Sequence, residues 1–379
     1  MRKTFKYRIY PTGKQERELN SRLESCRKLY NHFLGERKTL WENQGESTTL
    51  YTQINSLKEL KVTYPNLKDV YCQTLQNVAV RVDLAYKAFF RRIKSGDKKV
   101  GYPRFKSIGR YDSITYPLYG RGIKIKGDRT KVTGIGLIKT VFHRNIEGTP
   151  KTAIIKKSST GKWYVYFSCE VENNILPVST LNIGIDVGLE TFAYMSDDTK
   201  IENPRFFRKE ENELAKSQRK LDKLSIKDKD NKVLNFNDKV RLKAKKVVSR
   251  VHERISFKRH NFTHQESRKI VNTYQVICIE DLNVNRMLDN HCLAKSISDA
   301  SWTSFFNLLH AKAEDAGRIV KSINPAYTSQ DCSQCGHREK KSLSTRQHIC
   351  KCCGLNINRD LNASLNILRI GLDSLGVNP

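Results

Sequence analysis

The sequence predicts a multidomain α+β protein: an all-β module interrupted by a helical bundle, then an α/β region interrupted by a small metal-binding ribbon. Three observations predict it. Residues 2–10 are strand-like but stand apart from the other short strands, which run from Val100 to Val171 between glycines and prolines. From residue 181 strands and helices alternate, as they do in α/β folds. Two Cys-x₂-Cys pairs then precede the last helical stretch.

Taken in order, "RKTFKYRIY" is a strand stopped by Pro11, and a helix starts at Thr12. Its stripe is Leu19, Leu23, Cys26, Tyr30 and Phe33 at alternating spacings of four and three, with Arg17, Arg22, Arg27, Lys28 and Arg37 opposite. Residues 43–68 are polar and turn-rich. A second helix follows with the stripe Leu75, Val78, Val82, Tyr86, Phe89 and Ile93. "DSITYPLY", "GIKIK", "TAIIKKSS" and "GKWYVYFSCEVE" are strands, the last with clean alternation. Because residues 2–10 are strand-like too, the helices read as an insertion between the first strand and the rest. "LNIGIDVG", "TFAYMSD", "YQVICIEDL" and "RIVKSINP" are the strands of the α/β region, and "WTSFFNLLHAKAEDAG" is a helix. A basic helical region spans about 205–270, with a loop-like segment at 225–238.

The chain of 379 residues holds 69 Lys+Arg against 39 Asp+Glu, a net charge of +30. A surface that positive exists to meet a polyanion. No apolar stretch reaches the roughly 20 residues of a membrane span, and the basic start lacks the apolar core of a signal peptide. The charge is spread along the chain and not gathered on one amphipathic helix, which favours nucleic acid over an anionic membrane surface. Of ten cysteines, five crowd into 332–353. With no export signal, these read as thiolates on a metal in a reducing compartment.

Cys332-x₂-Cys335 and Cys350-x₂-Cys353 supply two thiolate pairs, each followed by a glycine that admits a tight turn. This spacing suits one tetrahedral Zn²⁺. Cys352 is an ambiguous fifth thiol, and His337 and His348 are possible substitute ligands. Three acids stand at the edges of apolar structure: Asp186 in "LNIGIDVG", Glu280 ending "VICIE" and Asp360 in "NINRDLNASLNIL". Each has a simpler reading. Asp186 alone could cap a strand end, Glu280 could pair with an arginine, with Asp281 as the alternative ligand, and Asp360 could cap its helix. Together, on strand, strand end and helix start, they match how a ribonuclease-H-like nuclease fold assembles its site. Clustered carboxylates repel one another, and two Mg²⁺ ions would relieve that while clamping a phosphate. Residues 241–260 add eight Lys/Arg and one Glu around a stripe of Ala244, Val248, Val251 and Ile255. Backbone tracking on that helix, with base stacking by the aromatics of basic runs such as "YPRFKSIGRY", fits a nucleic-acid partner.

"GIDVG", "IEDLNVNRM", "LAKSISDASW", "NPAYTSQDCSQCG" and "CKCCGLNINRDLNASLNIL" resemble the TnpB family in close succession. "YRIYPTGKQ…CRKLYNHFL", "YPRFKS" and "GKWYVYFSCE" extend the resemblance over essentially the whole chain. That resemblance implies a transposon-encoded RNA-guided DNA endonuclease related to the compact type V CRISPR effectors. It implies a wedge β-barrel (1–11 and 99–180) with an inserted helical recognition lobe (12–98). A RuvC-like nuclease domain (181–327 and 356–379) interrupted by a zinc ribbon (328–355) would follow. It further implies catalytic Asp186, Glu280 and Asp360 holding two Mg²⁺, and zinc on Cys332, Cys335, Cys350 and Cys353. The implied partners are a guide RNA from the transposon end and double-stranded target DNA beside a transposon-adjacent motif, in the prokaryotic cytoplasm and on the nucleoid. Two departures stand out. Asn358 replaces an acidic residue often found two before the last acid, and 225–238 is longer and more polar than expected. The alternatives are a nuclease-silent RNA-guided repressor and a strand-transferring transposase.

Overall fold

The computed structural model describes residues 1–97, 100–231, 233–235, 238–342 and 345–377. The expected boundary at 98–99, parts of the expected loop (232, 236, 237) and ribbon (343, 344), and residues 378–379 lie outside them. The chain forms two compact units, Met1–Glu172 and Asn173–Pro379.

The first unit runs β1 (Arg2–Tyr10), α1 (Gly13–Gln44), α2 (Leu50–Asn55), α3 (Leu57–Thr63), a 3₁₀ turn (Pro65–Asp69) and α4 (Cys72–Lys94). Six strands follow: β2 (Ser113–Tyr116), β3 (Ile123–Lys126), β4 (Arg129–Val132), β5 (Gly136–Val141), β6 (Thr149–Lys157) and β7 (Trp163–Glu170). All seven strands form one antiparallel sheet in the order β2-β6-β7-β1-β5-β4-β3. β1 lies inside it, paired with β7 (Phe5 opposite Phe167) and with β5 (Ile9 opposite Thr140). The helices are therefore inserted between two parts of one sheet. Helix α1 begins at a capping box: the Gln15 amide donates to Thr12 Oγ1 at 3.3 Å, and the Thr12 amide to Gln15 Oε1 at 3.0 Å. Its stripe of Leu19, Leu23, Cys26, Tyr30 and Phe33 shares one core with Leu75, Val78 and Val82 of α4 and with Tyr7, Ile9, Val165 and Phe167 of the sheet.

Two expectations change here. Residues 43–68 are not merely turns but hold α2, α3 and the 3₁₀ turn. The contact that seats α2 is polar: the fully buried Gln53 donates to the Phe33 carbonyl at 2.9 Å and to Glu36 Oε2 at 2.7 Å. Apolar periodicity has no signal for such a contact. Ile93 is half-exposed, because the buried stripe of α4 ends at Tyr86.

The second unit runs β8 (Asn182–Val187), β9 (Thr191–Met195), β10 (Lys200–Glu202), α5 (Phe206–Lys223), α6 (Lys239–Thr273) and β11 (Val276–Glu280). It continues with α7 (Val284–Met287), α8 (Ala294–Ala300), α9 (Trp302–Ala316), β12 (Ile319–Ile323), β13 (Gln347–Ile349), β14 (Asn356–Asn358) and α10 (Arg359–Asp373). Five strands pair as β10-β9-β8-β11-β12, with β8, β11 and β12 parallel and β9 and β10 antiparallel. Ile183, Ile185, Ile277 and Ile279 share a core with Ile270 and Val271 of α6 and Phe305 and Leu309 of α9. Val276 and Cys278 share another with Ile323 and with Ile367 and Leu372 of α10. The basic region is two helices, and the stripe Ala244, Val248, Val251 and Ile255 is buried.

Candidate active site and metal centre

Strand register brings the first two acids together. β8 and β11 run parallel with Ile185 opposite Ile279, so one further step sets Asp186 beside Glu280 on strands about 4.8 Å apart. Aligned residues of parallel strands face the same side. That side is the one α10 covers, because Gly184 and Cys278, two residues earlier, both lie against this helix. A Cβ on Gly184 would overlap the Ser364 carbonyl and the Leu368 amide, and one on Gly371 would overlap Cys278 Sγ. Glycine on either side lets the helix come down to backbone contact. Gly184→Ala should therefore cost about 1–3 kcal/mol through overpacking, read as a lower urea midpoint; an unchanged midpoint would show that α10 is not held this closely.

Asp360 stands in the first turn of α10, where the Asn358 side chain accepts from the Asp360 amide at 2.8 Å and the Leu361 amide at 3.3 Å. The helix cap is therefore Asn358, and the reading of Asp360 as the cap is corrected. Asn358 is thus more than a missing acidic charge, since it supplies the cap that orients this turn. Asp186 is pushed well above the ordinary aspartate range, first by burial and then by the charges of Glu280 and Asp360, with Arg359 opposing them. Glu280 is buried and also raised, by desolvation, against a hydroxyl bond of 2.7 Å from Thr328 to its Oε1. Among the described residues its partner is Thr328 and not an arginine. Asp281 is exposed, one residue past the strand.

The acids do not close as tightly as the thiols. Among the described residues, Cys332, Cys335, Cys350 and Cys353 are the set whose ligand atoms all lie within 4.8 Å of one another. Sγ separations are 3.5 Å for Cys332–Cys353 and for Cys335–Cys350. Four sulfurs at about 2.3 Å from a tetrahedral Zn²⁺ stand about 3.8 Å apart, so the donor set fits zinc. Each knuckle turns at a glycine, Gly336 and Gly354 both with φ 76°. Their amides donate to the Cys332 and Cys350 carbonyls at 2.9 and 3.0 Å. The amides of Cys353 and Cys352 bring the Cys350 thiol down to about 6. All ten cysteines are free. Cys352 is exposed and outside the set. His337 pairs with Glu339 at 3.4 Å, and His348 is buried against Lys341.

Sequence reasoning missed the polar residues that tie this site together. Asn362 donates to the Asp331 carbonyl at 2.8 Å and accepts from the Ser333 amide at 2.9 Å. Asn366 donates to the Thr328 and Asp331 carbonyls at 2.9 and 2.7 Å. Both are buried, and they fasten α10 to the segment that carries Thr328 and the first knuckle. The signal was the spacing of four in "LNASLN", which puts both asparagines on one helix face.

A family model described as "Probable transposase" matches residues 166–291, and one described as "Cas12f1-like, TNB domain" matches 302–367. A third, "Helix-turn-helix domain", matches 1–46, which fold as β1 and the single helix α1. A "Putative RNA-guided DNA endonuclease" of Streptomyces pristinaespiralis is 32% identical over 98% of this chain and 90% of that protein. "TnpB-like protein L770" of Acanthamoeba polyphaga mimivirus is 25% identical over 97% of this chain and 73% of that protein. In fold, the chain is similar to Cas12f1 in the cryo-EM structure of a Cas12f1–sgRNA–target DNA complex. The TM-score is 0.57 at 16% identity, covering 97% of this chain and 98% of that one. No described helix is long and apolar enough to cross a membrane. The likeness to the Streptomyces protein runs along almost the whole chain, and the chain belongs to the TnpB family.

Proposed function

We propose that this protein is the RNA-guided endonuclease of an insertion sequence, cleaving double-stranded DNA beside a transposon-adjacent motif by metal-dependent phosphodiester hydrolysis. The observation that carries the reading is the register of β8 and β11, which seats Asp186 beside Glu280 under the start of α10. Asp186, Glu280 and Asp360 offer hard oxygen donors whose mutual repulsion favours bound cations. Two Mg²⁺ held there would activate water and stabilise the leaving 3′ oxygen. The chain's own part is positioning: Thr328 orients Glu280, Asn358 fixes the turn of Asp360, and Gly184 lets the middle of α10 approach β8. Zinc on the four cysteines is structural in this reading.

The sheet module of 1–11 and 99–180 serves as the wedge and the helices of 12–98 as the recognition lobe. The segments 181–327 and 356–379 form the nuclease domain around the ribbon at 328–355. On α6, Arg254 and Lys258 are spent on Glu210 and Arg259 on Asp299. Lys243, Lys245, Lys246 and Arg250 are exposed and left to nucleic-acid phosphates. Guide pairing supplies sequence choice. The protein acts in the prokaryotic cytoplasm, on the nucleoid.

Expression with the native locus should yield a complex from which RNA is recovered and which linearises a plasmid matching that RNA. Cutting that ignores a scrambled guide sequence rejects RNA direction. RNA-independent joining of donor ends would instead identify a transposase, and guided binding with no cutting a repressor.

A further inference from the structure

A cleft of about 530 Å³ has a lining that includes Leu189, Glu190, Asn203, Arg205, Arg208 and Arg346, and the Arg346 carbonyl accepts from the amide of Arg359, next to Asp360, at 2.9 Å. It begins three residues past Asp186, and three of its lining side chains are arginines. Arg205 is exposed, and its guanidinium has no hydrogen-bond or ion-pair partner among the described residues. Its backbone is left-handed (φ 48°, ψ 49°), a conformation non-glycine residues adopt at a cost. Two contacts hold it there. Asn203 Oδ1 accepts from the Arg205 amide at 3.1 Å, while Asn203 Nδ2 donates to the Leu189 carbonyl at 2.8 Å. One side chain thus locks the turn carrying Arg205 to the loop leaving Asp186. Asp299 holds the next turn by accepting from the Phe207 amide at 3.0 and 2.9 Å, with its own charge met by Arg259 at 2.7 Å.

Across the cleft, Arg346 pairs with Glu190, both side chains more than half exposed (58% and 65%). An ion pair in that setting is worth only about 0–1 kcal/mol. A backbone phosphodiester carries the same single negative charge as Glu190 and offers Arg346 two acceptor oxygens for a bidentate pair. Arg208 is held by Glu211 at 2.9 Å and Asp299 by Arg259, which leaves Glu190 as the acid that competes for Arg346.

We infer that this cleft seats the phosphodiester backbone of the single DNA strand entering the acid pocket, with strand phosphate displacing Glu190 from Arg346. The inference rests on the proposed nuclease reading. It places Arg205 and Arg346 on the strand and makes Glu190 a brake on strand entry.

The test is cutting of a guide-matched target by the protein–guide complex, below saturation and at four salt concentrations. Arg205→Ala should slow cutting several-fold and make the slope of log rate against log salt shallower by about 0.7, one single-strand phosphate contact. Arg205→Lys should restore the slope. Glu190→Gln, an exposed change, should speed cutting about two- to five-fold, as expected for loss of a weak competing pair. An Arg205→Ala complex with unchanged salt slope, or a Glu190→Gln complex no faster than the parent, overturns the inference. A parent complex that does not cut at all instead defeats the nuclease reading.

Discussion

Asp186→Asn should reduce cutting by roughly 10³-fold while making the metal-free protein more stable. In the proposed two-metal reading, the first effect follows from losing a metal-holding charge, equivalent to about 4 kcal/mol of transition-state stabilisation. The second follows from the raised pKa. Asp186 sits above its ordinary value of 3.8 because it is buried against Glu280 and Asp360. A carboxyl raised in the folded state binds its proton more tightly there than in the unfolded chain. Its contribution is therefore fully present below the unfolded value and is lost as pH rises through the folded value. At neutral pH the unfolded chain accommodates the ionised Asp186 carboxylate better than the fold does, and Asn removes that penalty. Thermal melting without metal should show a higher midpoint for the variant at pH 7, with the gap shrinking as pH falls toward 4. Mg²⁺ should raise the parent's midpoint and leave the variant's nearly unmoved. A variant that melts lower than the parent at pH 7, or still cuts at a tenth of its rate, would contradict this account of the site.

Removing zinc should be the second large effect. Among the described residues of the ribbon, the buried side chains are those of Thr328, Cys332, His348 and Cys350, too few to hold the segment by apolar packing. Zinc on four thiolates supplies about 10–16 kcal/mol in comparable small modules. Cys350→Ser, or a strong chelator, should release one zinc per chain and open 332–354 to protease. Asn362 and Asn366 fasten this segment to α10, and Thr328 at its base holds Glu280. Loss of the ribbon should therefore carry into the acid site and lower cutting by about 10²-fold or more, the scale of a roughly 1 Å misplacement. Cys352→Ser should keep both zinc and protease resistance. A Cys350→Ser protein with full zinc content would refute the assignment of ligands.

The sequence made the apolar framework legible because burial leaves a period. The stripes of α1 and α6 lie where spacings of three and four placed them, and the insertion of helices after β1 followed from one displaced strand pattern. Asp186 and Glu280 stood out because a charge inside an apolar run needs a reason, and the strand register sets them side by side. Thr328, Gln53, Asn362 and Asn366 were not legible as contacts, since a buried amide or hydroxyl looks like a surface residue until its partner is known. Asn358 read as a lost charge when its oxygen in fact caps α10. The eight cations of 241–260 read as one basic surface, whereas the fold pairs Arg254, Lys258 and Arg259 with acids of α5 and α8.

The order in which the pocket's parts are synthesised has a consequence for the cell. Asp186 leaves the ribosome early, Glu280 follows, and Asp360 comes only after both knuckles, on the helix that closes over β8. A nascent chain still lacking that helix has an unfinished centre, whatever nucleic acid its basic stretches have already gathered. In the proposed reading, cutting cannot begin until Asp360 and the helix that follows it have left the ribosome.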